Sequence, residues 1–290
     1  MTFELPELLV GWQLSSDFTL SMLHNVLPIP YLLFVSAHGG VLSYKFGDTT
    51  YQGFVPYNTP VGQSSIQREW DTVRISDNLS NILSPHLPLP LHPTDASLSC
   101  NIDGATLAEQ LSATVAAGTQ VTAYWNAWPH TIGVITSPYM VSNRVPSQPV
   151  MVYMAACPSG CSNADTSTLE FFKIDQAGLI SGTLVTGLWG MGELVQNNNS
   201  WTSTIPASLA PGEYMIRHEL LAIHTSDQPQ FYPECAQLII TGSGTSTPAS
   251  SYLVTFPGAY SASDPGVTID IYANENETNY TIPGPAVWSG

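Results

Sequence analysis

The chain has 290 residues, with six Lys and Arg against 22 Asp and Glu, for a formal net charge of −16. Six scattered basic residues cannot neutralise a run of phosphates, so nucleic acid is not an expected partner. With 43% hydrophobic and 10% aromatic residues the chain has the means to build a core, yet no apolar run approaches the roughly 18–20 residues that span a bilayer.

The first recognisable element is the apolar stretch 26–37, which closes on Val35, Ser36 and Ala37, the small-residue pattern of a secretory cleavage site. The usual basic segment before it is missing, because the first basic residue is Lys45. Met22 offers a more compact start and leaves 1–21 as a mis-assigned leader. The expected organisation is a cleaved leader at 1–37 and one domain at 38–290, beginning with His38.

Beyond the leader, residues 104–116 read as a short helix. Most other apolar segments are short, β-branched or aromatic, and bounded by Gly, Pro, Asn or Asp. Strands are expected at 120–125, 149–155, 169–175, 201–205, 214–224, 236–241 and 267–272. Short strands at this spacing point to an all-β sandwich rather than alternating βα units. The tail after about residue 243 reads as wrapping the same domain, without a separate carbohydrate-binding module. Residues 134–148 stand out, because they carry no amphipathic period and interrupt a compact turn before Pro149.

Four cysteines, Cys100, Cys157, Cys161 and Cys235, fit two disulfides in a secreted chain, with three pairings possible. Four glycosylation acceptors, Asn78, Asn198, Asn276 and Asn279, also favour an extracellular address.

No zinc-protease, dithiol or nucleophile-elbow motif is present. His24 leaves with the leader, and His86 and His92 lie in a Pro-rich loop. His38 is different once it becomes the terminus. Its amine and imidazole then form a bidentate nitrogen clamp, and an α-amino group with a pKa near ~8 gives up its proton readily to a metal. A second imidazole completes the planar three-nitrogen set that Cu(II) prefers. Further along, extended chain through 230–235 puts Gln230 and Tyr232 on one face and Phe231 and Cys235 on the other.

Several separated motifs together resemble one family. They are His38-Gly-Gly after a leader, Trp128-Pro-His-Thr-Ile-Gly133, Leu169-Glu-Phe-Phe-Lys-Ile-Asp175, Arg217-His-Glu-Leu-Leu-Ala-Ile-His224 and Gln230-Phe-Tyr-Pro-Glu-Cys235. The family is the fungal lytic polysaccharide monooxygenases of auxiliary-activity family nine, formerly glycoside hydrolase family sixty-one. The resemblance implies an immunoglobulin-like β-sandwich with long loops, a flat substrate face and one copper ion. By position, His38 and His130 supply the copper nitrogens and Tyr232 the axial oxygen. His224 and Gln230 are the pair that hydrogen-bonds the oxygen species, His218 is structural, and the disulfides are Cys100–Cys235 and Cys157–Cys161.

The implied chemistry uses O2 or H2O2 with an external electron donor or redox partner enzyme. Hydroxylation at C1 or C4 then breaks cellulose or a related β-glucan, and paired glycosidase carboxylates are not required. Tyr280 and Tyr51 are candidates for flat contact with sugar rings. A secreted monomer without membrane attachment is expected. The competing reading is a non-catalytic carbohydrate- or copper-binding protein on the same sandwich.

The sequence departs from the family pattern where 134–148 separates Gly133 from Pro149. This segment begins with Val and ends with Gln, as translation of a retained GT…AG intron produces.

Overall fold

The computed structural model describes residues 39–56, 61–70, 93–101, 104–126, 147–223 and 229–290. In chain order the strands are β1 (Val41–Phe46), β2 (Thr49–Gln52), β3 (Ser64–Ser65), β4 (Glu109–Gln110), β5 (Ala113–Ala116), β6 (Gln120–Trp125), β7 (Val150–Ala156), β8 (Phe171–Ala177), β9 (Leu179–Ser181) and β10 (Leu188–Trp189). Helix α1 (Gly190–Gln196) follows, then β11 (Ser200–Thr204), β12 (Gly212–Ala222), β13 (Gln230–Thr241) and the single-turn α2 (Pro265–Thr268).

Two sheets make the sandwich. One has the order β11-β6-β1-β2 and the other β5-β13-β12-β7-β8, with β5 alone running parallel to its neighbour. Strand patterning explains which faces are covered. In β6, Val121, Ala123 and Trp125 are buried while the residues between them are not, so one face meets the other sheet and one meets solvent. In β7 every residue from Val150 to Ala155 is buried. Its even-numbered side chains enter the core between the sheets, with Tyr44, Ile216 and Leu238. Met151, Tyr153 and Ala155 enter a second core on the outer face, under Phe256 and Tyr260 from the C-terminal tail.

That outer core contains charge. Arg217 and Glu219 are both fully buried, and their ion pair has a shortest N–O distance of 2.6 Å. Arg217 Nε and Nη2 donate to the carbonyls of Ser99 and Leu98, which seats the segment leading into Cys100. The disulfides join Cys100 to Cys235 and Cys157 to Cys161.

Two expected elements are corrected. Residues 104–116 form no helix. They contain β4 and β5, because Ala113 and Val115 alternate inward and the backbone of β5 pairs with Leu238–Thr241. Residues 267–272 are not a strand either. Pro265 starts the short helix α2, and Asp264 O accepts from the amides of Val267 and Thr268. The strand expected at 236–241 begins earlier, at Gln230.

The last two residues of the 134–148 segment fall among those described. Ser147 Oγ donates to Leu184 O at 2.9 Å, Met191 N–H donates to Gln148 O at 3.1 Å, and both side chains are buried. Gln148 Oε1 has no hydrogen-bond partner. The residues 134–146 lie outside the described residues.

Candidate functional site

One end of the sandwich gathers the sequence motifs. On the five-stranded sheet the register aligns Tyr232 with Leu220, Leu220 with Val150, and Val150 with Ala177. On the facing sheet, Val41 pairs with Trp125 at the corresponding ends of β1 and β6. The two ends are joined, since Val41 N–H donates to Glu234 Oε2 at 2.7 Å. Gly40 before β1, Asn126 after β6 and the facing ends of β12 and β13 are therefore among the described residues at this end. His38, His130 and His224 lie outside the described residues.

Gln230 and Tyr232 are described. They stand two residues apart on β13 and therefore on one face, with the Tyr232 hydroxyl donating to Gln230 Oε1 at 2.6 Å. Phe231, between them, turns into the outer core and stacks on Tyr260 with ring centroids 5.5 Å apart. Tyr232 is 8% exposed, and burial pushes its phenol up from the ordinary value. In this environment the phenol is neutral.

Three residues that the sequence did not single out complete the surroundings. Glu234 is buried two residues beyond Tyr232 and accepts from Gln67 Nε2 at 2.6 Å as well as from Val41. Burial pushes its carboxyl well above the usual range, while those two hydrogen bonds pull the other way. Gln67 is fixed in turn by the Phe54 amide, which donates to its Oε1 at 2.6 Å. Asn126, just past β6, accepts the Gly40 N–H at 3.0 Å and donates its own N–H to Gly40 O at 3.0 Å. A carboxylate inside the otherwise apolar strand 231–236 was the available signal for Glu234. Gln67 and Asn126 carry no local signal, because only tertiary contact gives them a role.

His218 points to the same inner side of the sheet as Tyr232 and Glu234, two residues deeper along β12 than Leu220. It is fully buried, pairs across the strands with Glu234, and lies 5.6 Å from the Tyr44 ring. Desolvation pushes its imidazole down to about 3.

The tyrosines considered for sugar contact are packed. The Tyr280 ring meets Trp189 edge-on at 4.8 Å, and its hydroxyl donates to Gly266 O at 2.6 Å. Its ring borders Gly178, just beyond Ala177 at the same end of the sheet as Tyr232. Three strand spacings, about 14 Å, separate Ala177 from Tyr232. Tyr51 is half-buried on the edge strand β2, edge-on to Phe46 at 5.8 Å. Neither ring offers a fully open face. Among the glycosylation acceptors, Asn198, Asn276 and Asn279 are exposed, and Asn78 lies outside the described residues.

Among the described residues no three His, Cys, Asp or Glu side chains gather into a metal site elsewhere, and no helix is long and apolar enough to cross a membrane.

Comparison with known proteins agrees with this architecture. The family described as Auxiliary Activity family 9 (formerly GH61) matches residues 38–280. An AA9 family lytic polysaccharide monooxygenase B from Heterobasidion irregulare (strain TC 32-1) is 64% identical over 258 residues, 88% of this chain and 93% of that protein. The crystal structure of HiLPMO9B is similar with a TM-score of 0.75 at 62% identity, over 87% of this chain and 100% of that one. A cellulose-active polysaccharide monooxygenase from M. thermophila gives a TM-score of 0.69 at 36% identity, again over 87% of this chain and 100% of that one. The sandwich and these likenesses lead to one conclusion: the chain belongs to Auxiliary Activity family 9, whose chemistry is the copper-dependent oxidative cleavage of polysaccharides.

Proposed function

We propose that this protein is a secreted, monomeric enzyme that cleaves cellulose or a related β-glucan by hydroxylation at C1 and/or C4. It holds one copper ion and uses O2 or H2O2 with an external electron donor. Removal of 1–37 would expose His38, whose amine and imidazole would hold copper together with the His130 imidazole and the Tyr232 phenol oxygen. His224 and Gln230 would adjoin the reacting oxygen, and the half-buried Tyr280 and Tyr51 would meet sugar rings only through the edges they leave exposed.

The observation that carries this reading is the Tyr232–Gln230 pair on β13, the strand whose Glu234 is joined to the start of β1. The described residues fit a copper ion. Their donor is the Tyr232 phenol in a partly closed site, and the backbone just after His38 and four residues before His130 is tied down by Asn126 and Glu234. Imidazole and amine nitrogens with a weak axial oxygen suit Cu(II).

Copper bound there supplies the one-electron and oxygen chemistry that no side chain can. The protein's own part is positional. Gln230 Oε1 accepts the hydrogen bond of the Tyr232 hydroxyl, which holds the phenol ring in one orientation. With its carbonyl so engaged, the Gln230 amide nitrogen is the end left to donate toward a reacting oxygen. Buried apolar neighbours such as Leu220 keep water from the inner side of the site.

The test uses mature protein beginning at His38. One Cu(II) per chain should give a tetragonal three-nitrogen EPR spectrum, and reductant with O2 or H2O2 should release C1- or C4-oxidised oligosaccharides from cellulose. EDTA should stop the reaction. Release of native sugars alone, or cellulose binding without oxidation, would overturn the proposal.

A further inference from the structure

The entry of the first strand into the sandwich is held in part by polar side chains from other elements. β1 lies between β2 and β6, but β2 pairs only with Ser43–Phe46 and the register with β6 shifts between Val41 and Ser43, so the ladder is incomplete at the strand's entry. The amide just before the strand and the strand's own first amide go to side chains. Gly40 N–H donates to Asn126 Oδ1 at 3.0 Å, and Val41 N–H donates to Glu234 Oε2 at 2.7 Å. Glu234 belongs to the opposite sheet and is 1% exposed. Burying a carboxyl carries a desolvation cost, and here it is offset by accepting the Val41 amide and Gln67 Nε2, which an apolar side chain would leave unpaired. What it provides is a fixed position between two sheets.

The backbone is shaped to receive this clamp. A Cβ on Gly39 would overlap the Asn126 carboxamide, and one on Gly40 would overlap Glu234 Oε1. Both glycines are therefore demanded by close approach of the two polar side chains. A tether at Gly40 leaves His38 only two residues of chain, a reach of about 7 Å at full extension. The same Asn126 is four residues before His130, so one side chain shortens the leash of both segments. Glu234, for its part, sits two residues from Tyr232 on one rigid strand.

We propose that Glu234, supported by Gln67, is a positioning residue for the metal centre. By holding the Val41 amide it sets the distance between the terminal amine of His38 and the phenol of Tyr232. The inference rests on the copper reading above and adds to it a group that touches neither metal nor substrate.

Three variants of the mature, copper-loaded protein test it, each read by EPR, by copper affinity in chelator competition and by circular dichroism. Glu234→Gln keeps an oxygen facing the Val41 amide and should retain the wild-type EPR spectrum and affinity within about threefold. Glu234→Leu removes the acceptor and should shift the EPR parameters and weaken copper binding about tenfold, the lower range for loss of a supporting group around a metal. Gln67→Met, which leaves Glu234 with one partner, should fall between them and substitutes for Glu234→Leu if that variant does not fold. Wild-type spectra and affinity in a folded Glu234→Leu, or in Gln67→Met in its place, would overturn the inference. Failure of the parent protein to show a three-nitrogen copper spectrum would instead overturn the copper reading.

Discussion

The Tyr232 hydroxyl donates to Gln230 Oε1 at 2.6 Å, across two residues of a single strand. Because successive side chains on a strand alternate, no other spacing this short places both groups on one face. The bond orients each group by means of the other, so their substitutions should differ in kind. Gln230→Ala should retain bound copper and lose about 10–100-fold in oxidative turnover, since it removes a polar group beside the reacting oxygen. Tyr232→Phe should change the Cu(II) EPR spectrum itself. Turnover measured alongside EPR on both variants separates the two roles, and an unchanged spectrum in Tyr232→Phe would place the phenol away from the metal.

The buried His218 makes stability depend on pH. Its imidazole is pushed down to about 3 by desolvation, while in unfolded chain it titrates near ~6.5. Between these values the unfolded state binds the proton and the folded state does not, so stability falls as pH falls, by up to about 1.4 kcal/mol per pH unit. The groups facing it are Tyr44 and, across the strands, Glu234. His218→Leu, a buried apolar replacement of similar size, should change stability little at pH 7 and abolish this part of the slope. At pH 4.5 the variant should hold a relative advantage of about 2–3 kcal/mol. Urea denaturation of both proteins at pH 7 and 4.5 measures it, and parallel slopes would refute it.

The two disulfides should contribute unequally. Cys100–Cys235 spans a sequence separation of 135 residues and Cys157–Cys161 one of 4. Restriction of the unfolded chain corresponds to about 5 kcal/mol for the long loop and about 2 kcal/mol for the short one. The Cys100→Ala/Cys235→Ala pair should therefore lower the melting temperature at least twice as far as Cys157→Ala/Cys161→Ala. Calorimetry on the two double variants decides the order.

Deleting residues 134–148, so that Gly133 meets Pro149, should improve the protein. The bond from Met191 N–H ends on a main-chain carbonyl at position 148, which glycine supplies equally well. The unpartnered Gln148 Oε1 would disappear, and an orphaned buried polar group costs about 1–3 kcal/mol. Each kcal/mol is worth about 2–4 °C in a domain of this size. Secretion yield, melting temperature and oxidative activity should rise together, and transcript sequencing should show the corresponding nucleotides removed. A mature transcript that keeps them, with activity lost on deletion, would make the segment a genuine loop.

Alternation and turn chemistry in the sequence were enough to specify the sandwich, the strand 120–125 to the residue, and the shared face of Gln230 and Tyr232. They failed at 104–116 and 267–272, where local composition is ambiguous. There, pairing with β13 and the Pro265 helix start decide the backbone. Apolar alternation also could not tell that β7 is buried on both faces, because that depends on Phe256 and Tyr260 arriving from a hundred residues away. The clamp of Glu234, Gln67 and Asn126 was invisible for the same reason. A buried polar side chain acquires its meaning from the amide it meets, and Glu234 meets Val41 across 193 residues of chain.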